Sequence, residues 1–469
     1  MDPLGIRGVP FMARRNYYFE VIHLVPWSLL AGMIEGNIAA IVVAKTFHGS
    51  SLLIATASAT PIGALLFSLG WGMMCVGRPK LRLATIFGGA ATLCTATVFL
   101  TPRSPHAGMI FVAQMAAAQV FLAGVVTVRA ALWRSNYPPE ARGRIASRLY
   151  AVRMIISIGG LIGASVLFDY DADLYRYVYL AAAVCGLIGL VILQRVHVRH
   201  ERAELRRIND LQAVHTAQES GRAKPRRVSD AATGSAGDLA PNASPAARRV
   251  SIAAALSPRR VLAETFTLLR GDPRFARYLW AQALLGSGMQ IVLPVVVIIL
   301  DANWHLFWTS VVIIEVLPKL AMFGSLGRWG RLFDRIGVLR LRVLNGTGAA
   351  VGSLFGMLAT LFVVHQDSFS ANWALPVAAI LFAGRGITQG LARGGGALAW
   401  NLGHLHFAKR EKADVYMGVH VSFTGVRGLV TPFVGIALWH LLGWGVWPVS
   451  VLICAAGVLM FQQLARTDS

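Results

Sequence analysis

The chain has 469 residues, of which 55% are hydrophobic and only 14% charged, with a mean hydropathy of +0.58. Soluble domains carry roughly 25% charged residues, so this composition excludes an ordinary soluble enzyme, a coiled coil and a disordered chain. The net charge of +22 does not imply a nucleic-acid partner, because Lys and Arg cluster between apolar runs; those runs are continuous, which excludes the alternating strands of an outer-membrane barrel.

Residues 1–16 are polar, with Arg7, Arg14 and Arg15, and no signal-peptide pattern follows. Runs long enough to cross a bilayer, each near the ~20 residues required, then occur at 17–44, 51–76, 83–101, 107–133, 146–168 and 176–194. Six more follow at 278–300, 305–327, 343–364, 374–400, 415–440 and 443–463. The expectation is an all-α membrane protein of about twelve transmembrane helices. Pro26, Pro61, Pro294, Pro318 and Pro432 fall inside these runs, which lipid-embedded helices tolerate. The four cysteines are scattered without a CxxC, so no disulfide framework is expected.

Charge predicts orientation. One set of connections carries Arg78, Lys80 and Arg82; Arg142, Arg144 and Arg148; Arg328 to Arg342; and Lys409, Arg410 and Lys412. The other holds Asp169, Asp171, Asp173, Asp301 and Asp367, with few basic residues. By the positive-inside rule the first set is cytoplasmic, as are both termini, in an inner or plasma membrane.

Residues 195–276 are the one long polar stretch, with 15 Lys or Arg against 8 Asp or Glu. It separates an N-terminal six-helix half (1–194) from a C-terminal one (277–469). Residues 219–257 are rich in Ala, Ser, Pro and Gly and are expected to be disordered. Residues 258–270 space Val261, Leu262, Phe266 and Leu269 as an amphipathic surface helix. Two RRxS strings end at Ser229 and Ser251; they read as phosphorylation switches or as a solvated basic linker beside anionic lipid.

The halves echo each other. Trp71-Gly72 and Trp329-Gly330 lie 258 apart, Ala123-Gly124 and Ala383-Gly384 lie 260 apart, in the same order. Even-numbered halves give a parallel repeat, with a pseudo-two-fold axis along the membrane normal. The segment Gly330-Arg331-Leu332-Phe333-Asp334-Arg335-Ile336-Gly337, followed by Arg340 and Arg342, resembles the G-x-L-x-D-R-x-G-R-K loop of the major facilitator superfamily. The resemblance implies the fold of that superfamily, alternating access, and a gating role for Gly330, Asp334, Arg335 and Gly337. The first-half copy, Gly72 to Lys80, lacks the Asp, and Gly159-Gly160 and Gly163 lack the proline of the antiporter pattern.

Charges inside a membrane are costly and mark cavities or partners. Glu35, flanked by Gly32 and Gly36, is the first candidate for proton coupling, with Glu315 and His420 behind it; a salt bridge from Glu35 to an Arg of span four, five, ten or eleven is the structural alternative. Glu315 and Lys319 are four apart on one helix face and can pair. Arg385, Arg393, Arg427, Gln282, Gln290 and Asn37 are candidate cavity residues, the arginines suited to an anionic group. His404 and His406 point to different helix faces, so no metal site is expected there. Gly394-Gly395-Gly396 is no phosphate loop. No catalytic constellation occurs, and neither enzymatic activity nor a cofactor is expected. The sequence reads as a monomeric, proton-coupled secondary transporter of a small anionic or polar solute. Drug efflux on the same fold, or a non-transporting receptor or scaffold acting through the linker, are the alternatives.

Overall fold

A computed structural model of the chain describes residues 9–75, 77–199, 267–368, 373–408 and 413–467, together with 201, 203, 205 and 206. The RRxS serines and most of the expected amphipathic helix lie outside the described residues; Thr267–Arg270 are helical.

Every regular element among the described residues is helical. In hydrocarbon a helix satisfies all of its own backbone groups, so apolar runs of this length adopt it. The first set comprises α1 (Arg14–Ile34), α2 (Ile38–Lys45), α3 (Ser51–Gly63), α4 (Ser68–Cys75), α5 (Lys80–Ala96), α6 (Ala107–Asn136), α7 (Pro139–Tyr170) and α8 (Tyr175–Leu193). The second comprises α9 (Pro273–Ile291), α10 (Leu293–Asn303), α11 (Phe307–Val311), α12 (Leu317–Val364), α13 (Ala374–Leu402), α14 (Ala413–Leu442) and α15 (Val446–Thr467).

Nine helical stretches among the described residues are long and apolar enough to span a membrane. Two of them are not single crossings. Phe307–Val364 has 58 residues, roughly 87 Å of helix against a ~30 Å hydrocarbon core. It turns at Gly337, whose φ of 73° and ψ of 176° leave the helix. Tyr416–Thr467 turns at Gly443, with φ 56°. Ser51–Phe67 is shorter and runs on into α4. Each of the twelve predicted runs thus has a helical counterpart, although they are not twelve unbroken helices.

The breaks matter most. The first run is not one helix: α1 stops at Ile34, Glu35 is extended (φ −81°, ψ 160°), and Gly36 takes φ 74° before α2 resumes. The eighth run opens with α11 and a π-turn over Val312–Val316, placed just before Pro318. Proline has no N–H to donate to the carbonyl four residues back. Wide turns of this kind often mark functional positions.

Within the first set, α1 packs on α7 and α8, and α5 on α6 and α8. Within the second, α9 packs on α14 and α15, and α12 on α13 and α15. The sets meet chiefly at two seams, α3 against α14 and α7 against α11, with α10 also packing on α2 and α3. Glycine makes the first seam close. A Cβ on Gly425 would stand 2.5 Å from the backbone nitrogen of Leu66, and one on Gly428 would stand 2.5 Å from Ile62 Cγ2. Small residues at such crossings let helices meet without a hydrophobic drive. All four cysteines are free thiols.

Candidate functional site: a charged junction between the helix sets

The gap between α1 and α2 leaves backbone donors free inside the apolar layer, where each needs a partner. Asn37 finds one in the other set. Its N–H donates to Glu315 Oε1 at 2.6 Å, and its Nδ2 approaches the same oxygen at 3.3 Å. Lys319 Nζ donates to Glu315 Oε2, the i to i+4 pair the spacing allows. Glu315 is 3% exposed. Gly36 makes room for it: a Cβ there would stand 2.5 Å and 2.6 Å from the two carboxylate oxygens. Arg393 lies within electrostatic range of the same carboxylate.

Glu35 faces its own set. It pairs with Arg153 Nη2 of α7. Its side chain keeps 36% of its exposure, against 13% for Arg153, so it is the open member of the pair. Arg129 of α6 lies within electrostatic range of Arg153, Glu35 and Glu20. Glu20 and His23 escaped the reading of the sequence. Both are buried in the first half of α1. Glu20 accepts a hydrogen bond from Trp133 Nε1 at 2.7 Å, while His23 Nδ1 meets Gly189 O at 2.7 Å and its ring stacks on Trp27. With Arg129 they line a small cavity. Their spacing was the available signal: Glu20, His23, Leu24 and Trp27 share one face of an apolar helix.

The remaining candidates lie elsewhere. Arg427 Nη1 donates to Gln282 O at 3.2 Å, and Gln290 Nε2 to Gly428 O at 3.3 Å, so both glutamines brace α9 against α14. His420 is fully buried between the rings of Trp400 and Tyr278, at 5.5 Å and 6.1 Å, and neither ring nitrogen has a hydrogen-bond partner. Arg385 is also buried; its guanidinium lies over Trp447 of α15 at 5.6 Å and within electrostatic range of Arg393. Asp334 and Arg335 are exposed beside the Gly337 turn, and Gly330 lies one helical turn before Asp334. His404 and His406 occupy a 3₁₀ turn, Gly403–His406. Burial, then the charge of Arg274, holds His406 below its ordinary value of 6.5.

The two ends of the junction differ. At the Asp-rich end, Lys45 Nζ donates to Trp304 O at 2.5 Å and lies 3.8 Å from Asp301. The Asp169 carboxylate caps α11, accepting from the backbone of Phe307 and, at 3.0 Å, of Trp308. Ser51 Oγ and His440 Nε2 are 3.0 Å apart. At the Arg-rich end no hydrogen bond or ion pair among the described residues links the two sets. Among the described residues, the polar links between the helix sets lie at the Asp-rich end and at the Glu315 junction.

Comparison with known proteins agrees with this architecture. The chain is similar to a D-xylose-proton symporter, at 12% identity and a TM-score of 0.60 over 95% of this chain and 96% of that one. It is similar to the nucleoside transporter NupG at 12% identity and a TM-score of 0.55, over 96% and 98%. A POT family transporter in complex with 5-aminolevulinic acid gives 10% identity and a TM-score of 0.60, over 97% of each chain. At such identities the likeness concerns the fold. No curated protein sequence matches. The sequence profile of the Major Facilitator Superfamily matches residues 26–426. The chain, a multi-pass integral membrane protein, belongs to the major facilitator superfamily.

Proposed function

We propose that the chain is a secondary transporter that moves a small polar or anionic solute by alternating access, coupled to protons at Glu315 and Glu35. One observation carries the reading: a buried carboxylate, Glu315, is held from both helix sets at once, by Asn37 of one and Lys319 of the other. A proton on Glu315 removes the negative charge that draws in both the Asn37 N–H and Lys319, and so weakens the Asn37 contact that joins the two sets. Glu35, less buried and paired to Arg153, is the carboxylate the solute or solvent reaches first. The latch at the Asp-rich end, made by Lys45 and Asp169, is the contact that opens when the halves rock. The Arg-rich end is cytoplasmic by its charge, with residues 1–194 and 277–469 as the rocking halves and 195–276 as the tether.

Two steps test this. Purified protein is screened by thermal stabilisation against sugars, nucleosides, short peptides, organic anions and lipophilic cations, since a ligand of the folded state raises the melting temperature. The stabilising solute is then followed into proteoliposomes under a pH gradient. Glu315→Gln and Glu35→Gln are expected to lose gradient-driven uptake while retaining solute exchange. Full gradient-driven uptake in both variants would refute the coupling role. Stabilisation by lipophilic cations alone would replace solute uptake with drug efflux.

A further inference from the structure

Where α12 resumes after Gly337 it packs against the end of α15. Between them lies a groove of about 390 Å³, lined by Ile336, Arg340, Val343, Leu344, Ala465 and Arg466. It opens to the outside of the helix bundle, away from the Glu315 junction. Its two arginines are exposed and stand at the Arg-rich end of the molecule. Beyond them both walls turn apolar. On α12, Leu344, Val351 and Leu358 are exposed at seven-residue spacing, and on α15 Leu452, Leu459 and Arg466 repeat the same spacing. Seven residues are close to two helical turns, so each series forms a stripe along its helix. From Leu344 to Leu358 the lane runs roughly 21 Å at 1.5 Å per residue, more than the ~15 Å of one leaflet.

A groove with two cations at the membrane surface and an apolar lane running into the bilayer has the shape of a phospholipid. We propose that it binds an anionic glycerophospholipid of the leaflet at the Arg-rich end. The phosphate sits between Arg340 and Arg466, and an acyl chain lies along Leu344, Val351 and Leu358. Guanidinium groups donate paired hydrogen bonds to phosphate oxygens. Zwitterionic lipid offers the same chains without the net negative charge, so the headgroup decides.

The test uses the full chain, delipidated in a neutral detergent. Retention is read by native mass spectrometry and melting temperature with phosphatidylglycerol, phosphatidylcholine or inorganic phosphate. Phosphatidylglycerol is expected to be retained and to stabilise; phosphatidylcholine and inorganic phosphate are not. The double variant R340A/R466A should retain phosphatidylglycerol roughly 25-fold more weakly, the effect of two basic side chains at a membrane surface. The double variant R340K/R466K should keep most of the binding, and R144A, an exposed arginine of α7, all of it. Equal retention of both lipids, equal stabilisation by inorganic phosphate, or an equal loss in R144A would overturn the proposal.

Discussion

Gly36→Ala probes the junction most directly. The backbone there has φ 74°, and forcing a Cβ into the left-handed region costs about 1–2 kcal/mol. The added methyl would also stand 2.5 Å from Glu315 Oε2 and 2.6 Å from Oε1. The carboxylate must retreat by roughly 1 Å to reach ordinary contact. The 2.6 Å bond from the Asn37 N–H then stretches beyond hydrogen-bonding range, and a bond to a charged acceptor contributes about 1.5–3 kcal/mol. Together the loss is about 2.5–5 kcal/mol. Denaturant unfolding of Gly36→Ala, Glu315→Ala and the double variant separates the two parts. Glu315→Ala removes the group that the methyl strikes, so Gly36→Ala should cost only the backbone part, about 1–2 kcal/mol, in that background. An equal cost in both backgrounds would show that Gly36 and Glu315 do not meet, and the cross-set junction would fall with it.

Other outcomes follow from the packing, the cap and the charges. Gly425→Leu should destabilise by at least the ~1–3 kcal/mol typical of overpacking, because the site abuts the backbone of Leu66. Gly89→Leu, whose Cβ meets nothing within 4 Å, should leave the melting temperature unchanged; equal effects would contradict the α3–α14 seam. Asp169→Ala strips the acceptor from the Phe307 and Trp308 amides. It should cost about 1 kcal/mol, as loss of an N-cap does, and hydrogen exchange over residues 304–311 should quicken; unchanged exchange would place the latch elsewhere. His406 is held below its ordinary 6.5, so the folded state resists its protonation. Its contribution to stability is present above about pH 6.5 and is lost as pH falls below it. The effect is small because the side chain is only partly buried, and His406→Gln should flatten that part of the stability–pH curve. An unchanged curve would show that His406 titrates as freely folded as unfolded.

The order of the helices was legible along the chain because spanning a bilayer is a local demand. Each run must be long and apolar by itself, and Lys and Arg gather at one set of ends. The Glu315–Lys319 pair was legible for the same reason, since one helix face suffices to make it. Gly425 and Gly428 stand plainly in the eleventh run, but nothing along the chain names their partners Leu66 and Ile62. Glu20 and His23 were hidden near the start of a run whose boundary hydropathy does not fix. Arg385 looked like a cavity cation by residue type; its place over Trp447 depends on how α13 is rotated, which its own composition leaves open.

What the sequence alone determined, then, is the class of molecule: apolar helices in order, one basic end, and a loop motif that names a superfamily. What only the tertiary structure decided is which charges meet. Arg153 lies 118 residues from Glu35, and Asn37 lies 278 from Glu315. A buried charge must find a partner or pay heavily in lost hydration, but that requirement fixes the need and not the partner. The break at Gly36 and the π-turn before Pro318 bring backbone donor and carboxylate to one point, and neither break can be read from hydropathy.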